Sequence, residues 1–170
     1  MAVAELEQAA FADVMASHCA GVAVATCSRG AGEGRVPLGL AVTSLTSYTA
    51  QPPSVLLSVD VSSRSHDALL ASEALGVHLL AHDQAAVANT FSSKADDKFA
   101  ALDWTWDGEV PRLGGVLAYL RCRGDRCIGH HDHTIVVATV EAAWIEREER
   151  PLVYHDRHLE WRLVERGAAA

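Results

Sequence analysis

Apolar positions recur at helical spacing in two stretches of the chain and in short runs or alternation over most of the rest. Over residues 4–19, Leu6, Ala10, Val14, Met15 and His18 fall on one helical face, with Glu5, Glu7 and Asp13 off it, until Gly21 breaks the pattern. Residues 22–28 are rich in valine and threonine and predict a strand, Gly30 to Gly34 a turn, and residues 36–47 a resumed strand. Pro52-Pro53 punctuates the chain before an apolar strand over residues 55–59. Ser62, Ser63 and Ser65 precede Asp67-Ala68-Leu69-Leu70, which reads as a capped short helix. Residues 75–81 are strand-like, and residues 83–91 predict a helix whose apolar face is Ala85, Val87, Ala88 and Phe91. Residues 94–114 look irregular and polar, with Trp104, Trp106, Pro111 and a Gly114-Gly115 break. Residues 116–122, 134–144 and 151–154 are β-prone, residues 159–164 alternate weakly, and residues 167–170 read as a frayed tail.

Six or seven strands with two or three short inserted helices, and no β-α-β rhythm, predict a mainly β chain built as an antiparallel barrel or sandwich. With 170 residues, 49% of them hydrophobic and 21% charged, the chain reads as one domain over residues 1–170 with a full core. It has no apolar run of about 20 residues to span a membrane. No basic segment opens it, so a cytoplasmic home is expected. The net charge of −8 opposes nonspecific nucleic-acid binding but leaves room for a local cationic pocket. Cys19, Cys27, Cys122 and Cys127 form no Cys-x-x-Cys pair and are expected as free thiols.

Four segments carry candidate chemistry, and one that invites it does not. Gly30 and Gly32 start a dinucleotide fingerprint, but Arg35 replaces its third glycine and a strand with Pro37 follows, so a hairpin loop is the reading. Gly39 to Thr49 concentrates hydroxyls at a strand end, suited to a phosphate or polar ring, or simply to an edge strand facing water. Ser62-Ser63-Arg64-Ser65 runs into a helix start and is either an anion site or plain capping. Lys94 and Lys98 are the only lysines, either a binding pair or a solvated one. His130-His131-Asp132-His133 invites a metal, yet no further ligand can be named; hydrogen bonding to a substrate, or a structural role, fits better.

In this order the segments resemble the short-chain flavin reductase family, the reductase components of two-component flavin-dependent monooxygenases. The likeness runs over about residues 8 to 164. It comprises Gly21-Val22-Ala23-Val24 after the opening helix, Gly39 to Ser47, and Pro52-Pro53 with Val55 to Val59. It continues through Leu79-Leu80 with Gln84 and Phe91, Asp132-His133-Thr134, and Pro151-Leu152-Val153-Tyr154. The resemblance implies an FMN-binding split β-barrel of antiparallel Greek-key type, a homodimer, and hydride transfer from NADH or NADPH to FMN or FAD. Reduced flavin would then pass to a partner oxygenase. By position, Ala41, Val42, Thr43, Ser44, Leu45, Ser47 and Tyr48 would line the flavin ring and ribityl chain. Ser62, Ser63 and Arg64 would hold its phosphate, and Lys94, Lys98 and Phe99 would border its far end. His133 would sit by the nicotinamide as the catalytic residue, with Arg157 and His158 closing over it, and no metal is implied.

The chain departs from the family pattern where Ala41 replaces a usual threonine, Leu45 a phenylalanine and Tyr48 a valine, and where His130 and His131 precede Asp132. Those departures leave FMN against FAD open. They also keep a flavin-storage protein without nicotinamide turnover as an alternative, alongside a metal enzyme built on His131 and His133.

Overall fold

The computed structural model describes residues 8–159; the expectations for residues 4–7, for 160–164 and for the tail lie outside them. Its order is α1 (Gln8–Ala16), β1 (Ala20–Gly21), β2 (Ala23–Arg29), β3 (Val36–Val42), β4 (Thr46–Ala50), β5 (Pro53–Asp60), α2 (His66–Ala71) and β6 (Ala74–Leu79). Then follow α3 (Ala85–Ser92), β7 (Trp104–Asp107), β8 (Val110–Leu113), β9 (Ala118–His130), β10 (His133–Ile145) and β11 (Val153–Tyr154). Seven strands form one antiparallel sheet in the order β3-β2-β6-β9-β10-β5-β4, while β1 pairs with β11 and β7 with β8. No described helix is long and apolar enough to cross a membrane.

The sheet curls around a core of alternating inward residues, among them Leu57, Leu75, Val77, Val136 and Ala138. Each large buried aliphatic contributes about 1.5–3 kcal/mol. A second core, with Phe91, Phe99, Leu113, Val116 and Tyr119, fills the space between the sheet, α3 and the β7–β8 hairpin. Helix α3 can lie close on β3 because Gly39 has no side chain: a Cβ there would meet Phe91 Cε1 at 2.7 Å.

Beyond Val42 the expected single strand over residues 36–47 divides. Residues 43–45 leave the sheet, and residues 46–50 pair instead with β5. The Ser44 hydroxyl joins the two sides of this break, accepting from Ser58 N at 2.9 Å and donating to Ser58 O at 3.2 Å. A side chain therefore closes the barrel where the backbone ladder stops.

Three other expectations change. Residues 104–113 form a hairpin, pinned from β2 by the Thr26 hydroxyl donating to Pro111 O at 2.6 Å. The strand expected over 116–122 continues to His130, because the outer half of β9 is exposed and so carries polar residues. Helix α1 exists, but its apolar residues do not pack inward: Phe11, Val14 and Met15 are 53%, 68% and 43% exposed. The helix is held by Asp13 pairing with Arg157 at 2.5 Å and by Asp156 N donating to Ala16 O.

Candidate active site

A cavity of about 540 Å³ opens where β3, the segment after β5, and the turn after α3 meet. Ala41, Asp60, Ser62, Ser63, Arg64, Lys94 and Lys98 all border it, so residues far apart in sequence converge and both lysines of an acidic chain share one wall. Lys98 is fixed by donating to Phe91 O at 2.7 Å, near the carboxyl end of α3, where a cation is favoured. Partial burial, and secondarily the charge of Arg64, lower the pKa of its ammonium. Ser65 does not cap α2; its hydroxyl, buried, donates to Gly39 O at 3.1 Å and ties the segment to β3.

His133 lies one strand away from the cavity. It lies opposite Asp60 in the β10–β5 register, and Asp60 borders the cavity. The turn of the β9–β10 hairpin, with His131 at φ 51, brings Asp132 Oδ1 to 3.0 Å from His133 Nδ1. That hydrogen bond is the main cause holding the Asp132 carboxyl below the usual carboxylate range. The Asp60 carboxyl is held low chiefly by Ser62 N donating at 2.7 Å, with smaller contributions from His133 and His66. When Nδ1–H is donated to Asp132, Nε2 of His133 is left as an acceptor able to take an amide N–H.

Thr43, Ser47 and Tyr48 are exposed but do not border this cavity, Ser47 pairing with Val55 well along β5 from Asp60, whereas Ser44 is spent on the barrel closure. Three expected ligand residues have side chains that are wholly or partly buried. Val42 is buried in the barrel core, because residues alternate in and out along β3. Leu45 packs against the same core and borders a separate apolar pocket with Leu79, Leu80 and Leu152. Phe99 is 3% exposed and packs edge-on to Phe91 and Trp104, its ring at 5.1 and 5.2 Å from theirs. Arg157 is paired with Asp13 beside α1, and among the described residues no hydrogen bond or ion pair joins Arg157 or His158 to His133.

Residue-by-residue reading missed His66, whose Nε2 lies 2.9 Å from the Thr134 hydroxyl and whose Nδ1 lies 2.8 Å from Asp67. This pair locks α2 to β10 directly behind the serines. The signal was present in Ser65-His66-Asp67 at a helix start, but nothing in sequence links it to Thr134. Elsewhere, His130 and His131 rings meet edge-on at 4.2 Å, and among the described residues no cluster of three metal-ligating side chains forms. All four cysteines are free; burial pushes the Cys27 and Cys122 thiols up to about 12, which makes them poor nucleophiles.

A split antiparallel barrel with a serine- and cation-lined cavity is the class that geometry defines, and comparison with known proteins places the chain within it. The family model for the flavin reductase like domain matches residues 15–161, and the chain belongs to that family. It is 35% identical over 145 residues to an NADH:FMN oxidoreductase of Rhodococcus qingshengii, covering 82% of this chain and 73% of that one. It is 33% identical over 146 residues to the reductase subunit HsaB of a flavin-dependent monooxygenase of Rhodococcus jostii, covering 85% and 73%. The structure of the NADH:FAD oxidoreductase SgcE6 of Streptomyces globisporus, in complex with NAD and FAD fragments, superposes with a TM-score of 0.84 at 26% identity, covering 96% and 99%.

The donor set fits a phosphorylated flavin. Two serine hydroxyls, one guanidinium and two ammonium groups around about 540 Å³ match the phosphate and ribityl ends.

Proposed function

We propose that the chain is a flavin reductase that oxidises NADH and passes reduced FMN or FAD to a partner monooxygenase. The observation that carries this reading is the convergence of Ser62, Ser63, Arg64, Lys94 and Lys98 on one cavity, with His133 paired across the strands to Asp60 on its border. When bound, the flavin supplies the redox chemistry, accepting the hydride that leaves C4 of the nicotinamide. The chain binds and orients. Ser62, Ser63 and Arg64 hold the phosphate, Lys94 and Lys98 raise the local potential, and Ala41, Thr43, Ser47 and Tyr48 border the ring and ribityl chain. His133, steadied by Asp132, accepts a hydrogen bond from the nicotinamide amide. Val42, Leu45 and Phe99 act behind these residues by packing.

The names of the relatives support NADH and flavin as the redox pair. The apolar face that α1 presents to solvent supports a homodimer of single-domain chains. The exposed thiols of Cys19 and Cys127 fit a reducing cytoplasm.

The test is NADH consumption by the purified protein with FMN, FAD and riboflavin in turn. Flavin-dependent oxidation is expected; none with any of the three overturns the reading. Tight flavin retention without turnover would point to storage instead.

A further inference from the structure

Arg64 stands on the wall shared by two cavities. One is the 540 Å³ space described above; the other, about 300 Å³, is bordered also by Arg29, Asp96 and Lys98. The guanidinium is already engaged: Nη1 pairs with Asp96 Oδ1 at 2.5 Å, while Nη2 donates to Ala95 O at 3.0 Å and to Lys94 O. The Asp96 side chain is 99% exposed against 54% for Arg64, and among the described residues it makes no other hydrogen bond. So exposed a pair adds little to folding. It nonetheless sets a carboxylate on the one group of the site best shaped for bidentate phosphate binding.

We propose that Asp96 is a built-in competitor for the flavin phosphate, a positioning residue that acts through Arg64. Its carboxylate neutralises the guanidinium and holds Nη1, so the phosphate must compete for Arg64 and the flavin stays exchangeable and departs once reduced. A reductase that must hand its product to another protein needs such a ceiling on affinity. The inference rests on the phosphate reading of Arg64 given above. Replacing Asp96 removes only the charge, because the carbonyls of Lys94 and Ala95 still hold the guanidinium in place.

The experiment titrates FMN and riboflavin fluorescence with wild-type protein, Asp96→Asn, Arg64→Gln and the double variant. Asp96→Asn is expected to bind FMN about two- to fivefold tighter at low salt, with dissociation slowed to match and riboflavin unchanged. The gain shrinks as salt rises and vanishes in the Arg64→Gln background. Unchanged FMN affinity, an equal change for riboflavin, or a gain that persists without Arg64 overturns the proposal. Separately, wild-type protein binding FMN no better than riboflavin, or an undiminished preference in Arg64→Gln, overturns the phosphate reading itself.

Discussion

His133 Nδ1 lies 3.0 Å from Asp132 Oδ1, and the adjacent strand places Asp60 beside the same histidine. One imidazole thus has a carboxylate neighbour on its own strand and another on the strand beside it, and its tautomer is chosen by the hydrogen bond to Asp132.

His133→Ala should raise the KM for NADH or lower turnover by up to about tenfold, the loss of one hydrogen bond. FMN affinity should stay close to wild type. Steady-state kinetics beside a flavin titration check this, and an equal loss of flavin binding would place the ring elsewhere.

Stability should depend on pH through His78. Wholly buried, it donates from Nδ1 to Val24 O and accepts from Leu113 N, both at 3.1 Å, and so is held neutral. Burial lowers its pKa from 6.5 to about 4. The unfolded chain takes up a proton below 6.5 that the folded chain refuses, so stability is complete above that pH and falls on the way down to about 4. The loss should reach about 3 kcal/mol. Asp60, Asp83 and Asp132, held below 3.8, act only at still lower pH. Urea unfolding across pH 6.5 to 4 reads the slope, and a flat response contradicts it.

Gly39→Ala should destabilise the fold by about 1–3 kcal/mol. The new methyl would press on Phe91 Cε1 at 2.7 Å and on Ala25 O at 3.1 Å, and backbone cannot yield. Because Gly39 O accepts from Ser65 and Lys98, the same substitution should also weaken flavin binding. Thermal melts and the FMN titration report the two effects; an unaltered melt would show that Phe91 can move aside.

Phe11→Asp with Val14→Asp should turn a dimer into a monomer, weakening association about tenfold or more for each apolar side chain unburied. Sedimentation at micromolar concentration decides it. Wild-type protein sedimenting as a monomer would remove the role given to α1.

Strand content and the β2–β3 hairpin were legible from residue order because apolar runs and the Gly30 to Gly34 turn are local signals. The β7–β8 hairpin was not, although Asp107-Gly108 marks its turn with Gly108 at φ 63. What holds it is tertiary, Thr26 and His78 reaching Pro111 O and Leu113 N from other strands. At the site, cations and hydroxyls could be picked out by type. Whether Val42 or Phe99 faces a ligand or the core depends on strand phase and on the aromatic cluster around Trp104, which spacing alone does not fix.

The closure through Ser44 has a chemical corollary. β3 ends the sheet, so beyond its pairing with β2 its outer edge carries amide and carbonyl groups without a strand partner among the described residues. A barrel laced by one hydroxyl rather than zipped keeps most of these groups unpaired beside the cavity, Gly39 O being taken by Ser65 and Lys98, and only a proline could remove an amide N–H among them. Under the proposed flavin reading, Ala41 in place of threonine removes one side-chain contact but leaves a main-chain template for the ring, so binding at this seam would be robust to drift in its side chains.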